Sequence, residues 1–291
     1  MTRTCEDIAA AAQLACLLEV TAPKPGNVSP RQHFDDVAYE HFLASATAIG
    51  PAMGQAGHAP LGQTVLRAIQ ATRRWTTTNT NLGMVLLFAP LACAAAREFA
   101  SARELRQSVA EVLCSTTVDD ARGVYEAIRL ASPGGLGRVE SQDVHDEPTV
   151  SLREAMMLAA AHDAIAREYA SEFTTTFDVA VPALTTARRD ALSWSDAIVQ
   201  TFLTLLAAEP DTHIARRAGA AAAAEVTELG QRTRAAGGVR TPAGRRAIDD
   251  LDRALRHDGH MLNPGATADV TAAAIFVALL QGEWHTEGRA R

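Results

Sequence analysis

Apolar residues recur along most of this chain at the spacing of amphipathic helices. Ile8, Leu14 and Leu18 keep that spacing after a polar start at Thr4, so we predict a first helix over residues 5–20. Similar patterns predict helices over residues 42–53, 61–75, 101–114, 117–131, 151–172, 181–192, 193–206, 211–237 and 241–258. The sequence has no period-two pattern typical of strands. We therefore predict an all-α fold, a single-domain multi-helical bundle over residues 1–291.

Two segments are too apolar to be amphipathic, and we predict that residues 84–96 and 270–280 form buried helices. The first follows Asn79-Thr80-Asn81-Leu82-Gly83, so polar side chains stand at the N-terminal end of a buried helix. The unpaired N–H groups and partial positive charge of such an end favour an anion such as a phosphate or carboxylate. The same residues also suit a plain turn and helix cap, and this stretch alone leaves both interpretations open.

The composition favours close-packed helices, because 47% of the residues are hydrophobic, only 5% are aromatic, and alanine runs such as residues 220–224 occur. The net charge of −7 argues against nucleic-acid and membrane-surface partners, since such proteins usually carry a basic face. A polyphosphate ligand would then need local Lys or Arg side chains, or a divalent cation. Alanine-rich helices pack between subunits as readily as within one, so the sequence is also compatible with a homodimer.

The cellular compartment is indicated by two absences from the sequence. No basic-then-apolar signal region precedes the first helix and no run is long enough to span a membrane, so we predict a cytoplasmic protein. The cysteines, which are Cys5, Cys16, Cys93 and Cys114, show no CxxC spacing. We interpret them as small core residues in a reducing compartment.

Candidate chemistry is concentrated in the loops. The proline-rich loop around Lys24 and Asn27 is rigid, which suits a ligand contact and a plain connector equally well. His33 and Asp35 form a compact polar cluster at a helix start, where the helix dipole alone also favours carboxylates. Residues 132–143 contain three glycines that would let the backbone approach a ligand closely. That segment is not a GxGxxG fingerprint and no predicted strand precedes it, which excludes a Rossmann fold.

Several motifs occur in an order that resembles the triphosphoribosyl-dephospho-coenzyme-A synthase family. The motifs are Glu19-Val20 with Pro25-Gly26-Asn27-Val28, the pair His33 and Asp35, Asn79-Thr80 with Gly83, Asp211-Thr212-His213 with Arg217 and Gly219, and Asn263-Pro264-Gly265 with Ala268-Asp269. They span nearly the whole chain. The resemblance implies a helical enzyme that transfers the triphosphoribosyl part of ATP to the ribose 2′-hydroxyl of dephospho-coenzyme A and releases adenine. The product would be the precursor of a prosthetic group of acyl-carrier subunits.

The resemblance also implies roles for individual residues, with Mg²⁺ as cofactor and ATP and dephospho-coenzyme A, or a related coenzyme precursor, as small-molecule partners. The catalytic candidates are His33, Asp35 and Asp211. The candidates for substrate binding are Lys24, Gly26, Asn27, Asn79, Thr80, Asn81, Gly83, Arg138, Arg217, Asn263 and Gly265. Asp211 and Asp269 are the candidates for magnesium contacts, because a magnesium ion bound to phosphate typically takes only one or two carboxylates.

One departure from the family pattern leaves alternatives open. Family members usually have His-Lys-Gly after the Asn-Thr pair, whereas this chain has Asn81-Leu82-Gly83 and so lacks an imidazole and a cation there. A first alternative is a related nucleotide- or ribosyl-phosphate-dependent enzyme of pterin one-carbon coenzyme biosynthesis, such as that of tetrahydromethanopterin. A second is a non-catalytic helical binding protein, which predicts that Asp35, Asp211 and Asp269 point to separate solvent faces.

Overall fold

The computed structural model describes residues 3–135, 137–257 and 260–285, and the regular structure within them is helical, which confirms the predicted all-α class. Two isolated β-bridges, Ser29 with Gln32 and Phe34 with Val37, lie in the loop after the first helix. Among the described residues, no helix is long and apolar enough to cross a lipid bilayer.

The helices follow one another with short connections. In chain order they are α1 (Cys5–Thr21), α2 (Tyr39–Ala48), α3 (Gly50–Gly54), α4 (Leu61–Thr72), α5 (Leu82–Ala95), α6 (Ala102–Cys114), α7 (Val118–Ala131), α8 (Leu152–Ala159), α9 (Ala164–Ala170), α10 (Val181–Arg189), α11 (Trp194–Leu206), α12 (Thr212–Ala218), α13 (Ala220–Ala235), α14 (Pro242–Leu255) and α15 (Gly265–Leu280). A π-helical stretch, Thr175–Ala180, leads into α10, and short 3₁₀ turns cover Ala56–His58, Gly238–Arg240 and Glu283–His285.

The centre of the core is formed by α5 and α15, the two segments predicted to be buried. Phe88 of α5 and Phe276 of α15 are fully buried, and their ring centroids are 4.6 Å apart. Tyr169 of α9 is also buried and donates a hydrogen bond of 2.7 Å to the carbonyl of Leu86. The burial of each such aromatic side chain contributes about 1.5–3 kcal/mol. The first helix, α1, packs along α15 and also contacts α5.

Most predicted helix starts are confirmed by side-chain caps. The hydroxyl oxygens of Thr4, Ser101, Thr117, Ser151 and Ser193 each accept a hydrogen bond from the backbone N–H three residues later. Such a cap contributes about 1 kcal/mol, because it satisfies a backbone donor that the helix itself leaves unpaired. The polar residues before these five apolar patterns therefore mark true helix boundaries.

Three predicted helices are wrong because each is interrupted, and two of them lie over residues 151–172 and 42–53. The helix predicted over residues 151–172 ends at Ala159, and Asp163 then caps α9 by accepting a hydrogen bond of 3.0 Å from the N–H of Ala166. The helix predicted over residues 42–53 is broken at Ile49, between α2 and α3, because Pro51 in the first turn of α3 lacks the N–H needed to continue one helix.

Other helix ends differ from the predictions. The long helix predicted over residues 211–237 is divided into α12 and α13 at Gly219, whose φ of 94° is accessible mainly to glycine. The helix predicted over residues 61–75 ends at Thr72 and is followed by turns. The one predicted to end at residue 258 stops at Leu255, and residues 258 and 259 lie outside the described residues.

Candidate active site

A cavity of about 870 Å³ lies among α5, α7, α8, α9, α12 and α15. Its volume is near the upper end of the ~300–1,000 Å³ range of small-molecule sites. Both central helices, α5 and α15, begin at its polar end. The side chains and backbone there belong to Asn79, Gly83, Asp163, His213, Arg216 and Asp269. Aliphatic side chains of α7, α8 and α9 also line the cavity.

The carboxylate of Asp269 lines the cavity beside the start of α5. A Cβ atom on Gly83 would lie 1.9 Å from its Oδ2, so only glycine on α5 leaves room for this carboxylate. Asp269 is half-buried and has no hydrogen-bond or ion-pair partner within the described part of the chain. Burial, followed by the charges of Glu19 and Asp211, raises the pKa of Asp269 well above its ordinary value. A cationic ligand or group would therefore be favoured beside it.

Asp211 is buried behind the same polar end and links two helices. Its Oδ1 caps α12 by accepting hydrogen bonds from the N–H groups of His213 (2.8 Å) and Ile214 (3.1 Å). Its Oδ2 accepts two more from the N–H and hydroxyl of Thr267, each at 2.7 Å. Burial raises the pKa of Asp211, while these hydrogen bonds lower it. Both oxygens are engaged in joining α12 to α15, and the predicted catalytic and metal roles of Asp211 stay predictions.

His213 lines the cavity and was named only as part of a sequence motif. Gly265 makes space for it, because a Cβ atom there would lie 2.5 Å from the ring Nδ1. The Nε2 atom lies 3.4 Å from Nη1 of Arg217, an arrangement that requires a neutral ring with its proton on Nδ1. Burial, with the charges of Arg216 and Arg217, lowers the pKa of His213 to about 3. The cavity therefore contains a neutral imidazole rather than a cation.

Arginine side chains supply positive charge to the wall. Arg216 forms an ion pair of 3.2 Å with Asp163 and also donates a hydrogen bond of 3.4 Å to the carbonyl of Gly134 in the glycine-rich loop. Arg138, from the same loop, also lines the cavity and is exposed. The sequence prediction chose Arg217, which lies outside the wall and contacts His213 and Met261. The signal for Arg216 was its position beside Arg217 in the same motif.

Only some of the residues before the start of α5 line the cavity. Asn79 lines the cavity, and its Oδ1 accepts a hydrogen bond of 3.1 Å from the N–H of Leu82, which fits the predicted cap. Thr80 is buried and hydrogen-bonded to the hydroxyl of Ser45 at 2.5 Å. Asn81 is also buried, and its amide donates to a threonine hydroxyl of α4 at 3.1 Å. Only part of the predicted anion site therefore faces the cavity.

The proline-rich loop predicted to contact substrate is bonded internally. Lys24 is buried, and its ammonium lies 2.9 Å from a carboxylate oxygen of Glu19. The N–H of Gly26 donates a hydrogen bond of 2.8 Å to Asp252 on α14, and the Asn27 side chain donates to a carbonyl of its own loop. Burial raises the pKa of Glu19, and the Lys24 charge opposes that effect. The loop lies outside the wall of the cavity, although the charge of Glu19 still influences Asp269.

Three other predicted residues also lie outside the cavity wall. His33 and Asp35 are exposed, and Nδ1 of His33 accepts a hydrogen bond of 3.3 Å from the N–H of Tyr39. Asn263 is half-buried just before α15, and its side-chain oxygen is buried without a hydrogen-bond partner among the described residues. The roles assigned to these residues by resemblance stay predictions.

The fold and the cavity define a class: an all-helical protein with a nucleotide-sized site whose polar end combines a carboxylate, arginines and the start of a buried helix. The model of the CitG family, described as ATP:dephospho-CoA triphosphoribosyl transferase, matches residues 5–287. The chain therefore belongs to this family, and the resemblance seen in the motifs is confirmed.

Two relatives and one solved structure agree with this assignment. A 2-(5''-triphosphoribosyl)-3'-dephosphocoenzyme-A synthase of Klebsiella pneumoniae is 28% identical over 295 residues, which cover 94% of this chain and 90% of the relative. A protein of the same name from Pectobacterium atrosepticum is 28% identical over 249 residues, 83% of this chain and 70% of the relative. The crystal structure of a proposed triphosphoribosyl-dephospho-coA synthase from Archaeoglobus fulgidus has a TM-score of 0.64 and 26% identity, covering 82% of this chain and 99% of that one.

Proposed function

We propose that the protein transfers the triphosphoribosyl group of ATP to the 2′-hydroxyl of 3′-dephospho-coenzyme A and releases adenine. In this reaction the bond between the ribose C1′ and the adenine nitrogen breaks, a bond from C1′ to the acceptor oxygen forms, and the hydroxyl proton leaves with adenine. Family membership supports the reaction class. The observation that carries the proposal is the Asp269 carboxylate, which faces a nucleotide-sized cavity beside the N-terminal end of α5.

The polar end offers groups suited to such a substitution. Displacement at an anomeric carbon passes through a state with positive charge on the sugar ring, which a nearby carboxylate stabilises. Asp269 is the carboxylate that we assign to this role. Arg216 and Arg138 would bind triphosphate oxygens, and the N–H on Nδ1 of His213 would donate a hydrogen bond to a phosphate or ribose oxygen.

Magnesium fits this proposal through Asp269. Within the described ranges no group of three or more histidine, cysteine or acidic side chains could hold a metal ion by itself. Magnesium at nucleotide sites commonly takes one or two carboxylates together with phosphate oxygens, and the oxygens of Asp269 accept no hydrogen bond from the described residues. We therefore assign the metal contact to Asp269 with the triphosphate of ATP. Bound there, magnesium would neutralise phosphate charge.

The altered pair Asn81-Leu82 does not by itself require a group donor other than ATP. Leu82 lines the cavity where the family usually has lysine, and Arg138 and Arg216 lie on the same wall. These arginines would supply the missing charge. The non-catalytic alternative predicted separate solvent faces for Asp35, Asp211 and Asp269. Asp35 is exposed and lies outside the cavity wall, whereas the charge of the buried Asp211 raises the pKa of Asp269. Family membership supports an enzyme instead.

The direct test is the release of adenine. The protein is incubated with ATP, Mg²⁺ and dephospho-coenzyme A, and adenine and the coupled product are measured by chromatography and mass spectrometry. We expect both products in equal amounts and only when both substrates are present. Adenine formed without dephospho-coenzyme A would indicate hydrolysis of ATP instead. A folded protein that forms no adenine would contradict the proposed reaction.

Neighbouring arginines allow a sharp test of how the triphosphate is bound. We expect Arg216→Gln to raise the KM for ATP by about 10- to 100-fold, because a charge-assisted hydrogen bond contributes about 1.5–3 kcal/mol. Arg217→Gln should change this KM less, since Arg217 lies outside the cavity wall. The measurement is the KM for ATP of the two variants from steady-state kinetics. A larger effect of Arg217→Gln would support the residue chosen from sequence over the one chosen from structure.

A further inference from the structure

A histidine–carboxylate pair lies beside the wall of the cavity and has no role in the transfer proposed above. Asp143 lines the cavity, and its side chain is only 3% exposed. Its Oδ1 lies 2.7 Å from Nδ1 of His145 and also accepts a hydrogen bond of 2.8 Å from the backbone N–H of the same residue. Its Oδ2 accepts another, also of 2.8 Å, from the N–H of Val139. These contacts fix the carboxylate, and with it the imidazole, in one orientation.

The positions of the protons in this pair follow from its hydrogen bonds. The N–H groups of His145 and Val139 lower the pKa of Asp143 to about 2, so its carboxylate is ionised at neutral pH. An ionised carboxylate only accepts hydrogen bonds, so Nδ1 of a neutral His145 ring must carry the proton and donate. The free electron pair is then on Nε2, which makes no hydrogen bond to the described residues. An imidazole that a carboxylate orients in this way is suited to act as a general base.

His145 is placed where the cavity wall meets solvent. Its side chain is 41% exposed, while the preceding Val144 lines the cavity. The segment is attached to α7, since the Tyr125 hydroxyl donates a hydrogen bond of 2.7 Å to the carbonyl of Gln142 and Arg129 donates one to the carbonyl of Val144. The open nitrogen of His145 is therefore held at the edge of the wall rather than on a free loop.

The imidazole of His213 is unsuited to the same task. Its Nε2 faces the guanidinium of Arg217 at 3.4 Å, and its Nδ1 carries the proton. Because the pKa of His213 is lowered to about 3, its ring binds a proton too weakly to be an effective base. The proposed transfer nevertheless needs a base, since a ribose hydroxyl is a weak nucleophile until its proton is removed.

We propose that His145, oriented by Asp143, is the general base that removes the proton of the acceptor hydroxyl. This inference rests on the proposed function for the reaction. Nε2 takes the hydroxyl proton as the hydroxyl oxygen forms its bond to C1′ of the triphosphoribosyl group. The bond between C1′ and the adenine nitrogen breaks, and its electron pair stays with adenine. His145 then releases its proton to solvent and adenine takes one from solvent, so protons balance over the whole reaction. The Asp143 carboxylate stabilises the imidazolium while it exists.

The test replaces His145 by glutamine and measures adenine release in a single turnover with ATP, Mg²⁺ and dephospho-coenzyme A. Glutamine still donates a hydrogen bond to Asp143 but takes up no proton at neutral pH. The rate should fall by about 10²-fold or more, the usual contribution of general base catalysis, while the affinity for ATP measured by calorimetry stays unchanged. Asp146→Asn is the matched control, since Asp146 is the next residue, exposed and outside the cavity wall, and it should retain the wild-type rate.

Chemical rescue separates a base from a residue that only holds its segment in place. His145→Ala should be as slow as His145→Gln, and imidazole added to the buffer should restore adenine release as its concentration increases, because this position is open to solvent. A loss of less than about tenfold in His145→Gln, or no rescue of His145→Ala, would overturn the inference and leave the proposed reaction intact. A wild-type protein that releases no adenine would instead contradict the reaction itself, and the inference with it.

Discussion

Replacing Asp269 by asparagine should lower the rate of adenine release by about 10²- to 10³-fold, the usual cost of removing one preorganised electrostatic group. Asparagine keeps the shape of the side chain and still fits beside Gly83, so the cavity should persist. The lost property is the negative charge that faces the sugar and the metal. The measurement is kcat with saturating ATP, Mg²⁺ and dephospho-coenzyme A. Asp249→Asn, at an exposed position on α14 outside the cavity lining, is the control and should retain full activity.

The same variant should be more stable than the wild type at neutral pH. The pKa of Asp269 is raised above its ordinary value of 3.8 in the folded protein, so its ionised form is disfavoured by folding. The wild type therefore loses stability as pH rises above 3.8 and has lost all of this contribution once pH exceeds the folded pKa. Asp269→Asn escapes the loss, and its melting temperature should exceed that of the wild type by about 2–4 °C for each kcal/mol recovered.

A pH series of melting temperatures checks this expectation. The difference between Asp269→Asn and the wild type should be small near pH 4 and should widen as pH increases. A constant difference would mean that Asp269 does not titrate in an unfavourable environment. Loss of activity combined with gain of stability is the pattern of a functional site that is maintained at a cost to folding. A variant that loses both would instead indicate a structural role for Asp269.

The fold was largely predictable because its helix boundaries depend on local chemistry. Caps such as Thr117 and Ser151 and the apolar pattern of α5 are visible in the sequence. The break before Asp163 was missed because alanines continue the helical pattern through it. The division at Gly219 was missed because a helix tolerates glycine, and the sequence does not reveal the positive φ of this residue. Where a helix ends inside a uniform apolar pattern depends on tertiary contacts.

The candidate site was predictable only in part. The motif containing Asp269 and the glycine at residue 83 identified two residues that meet at the cavity. Arg216 and His213 were missed as individual site residues, because a motif does not reveal which of its side chains turns towards a ligand. Asp163 was missed for a different reason, since it lies in a break between helices that the sequence did not indicate. Side-chain direction is set by packing, which spacing alone does not encode.

For Lys24, the sequence and the structure predict different effects of a substitution. It is the only lysine of the chain, and its ammonium is buried against Glu19 at 2.9 Å. We expect Lys24→Met to lower the free energy of unfolding by about 3–5 kcal/mol, because the Glu19 carboxylate would be left buried without its partner. Urea denaturation followed by circular dichroism measures the change. A direct phosphate contact, as predicted from the loop, would instead raise the KM for ATP with little loss of stability.

The double variant Glu19→Gln with Lys24→Met separates the two roles of this loop. Removing both charges leaves no unpaired ion in the core, so most of the stability lost in Lys24→Met should return. If Lys24 acts only through its ion pair, the double variant should also recover the wild-type KM for ATP. If the double variant is stable but binds ATP as weakly as Lys24→Met, the ammonium must reach the nucleotide, which would require the loop to open away from Glu19. Amine-reactive labelling of Lys24 would reveal such opening. Within the described residues Lys24 carries the one lysine ammonium, and its burial should prevent modification in the closed protein.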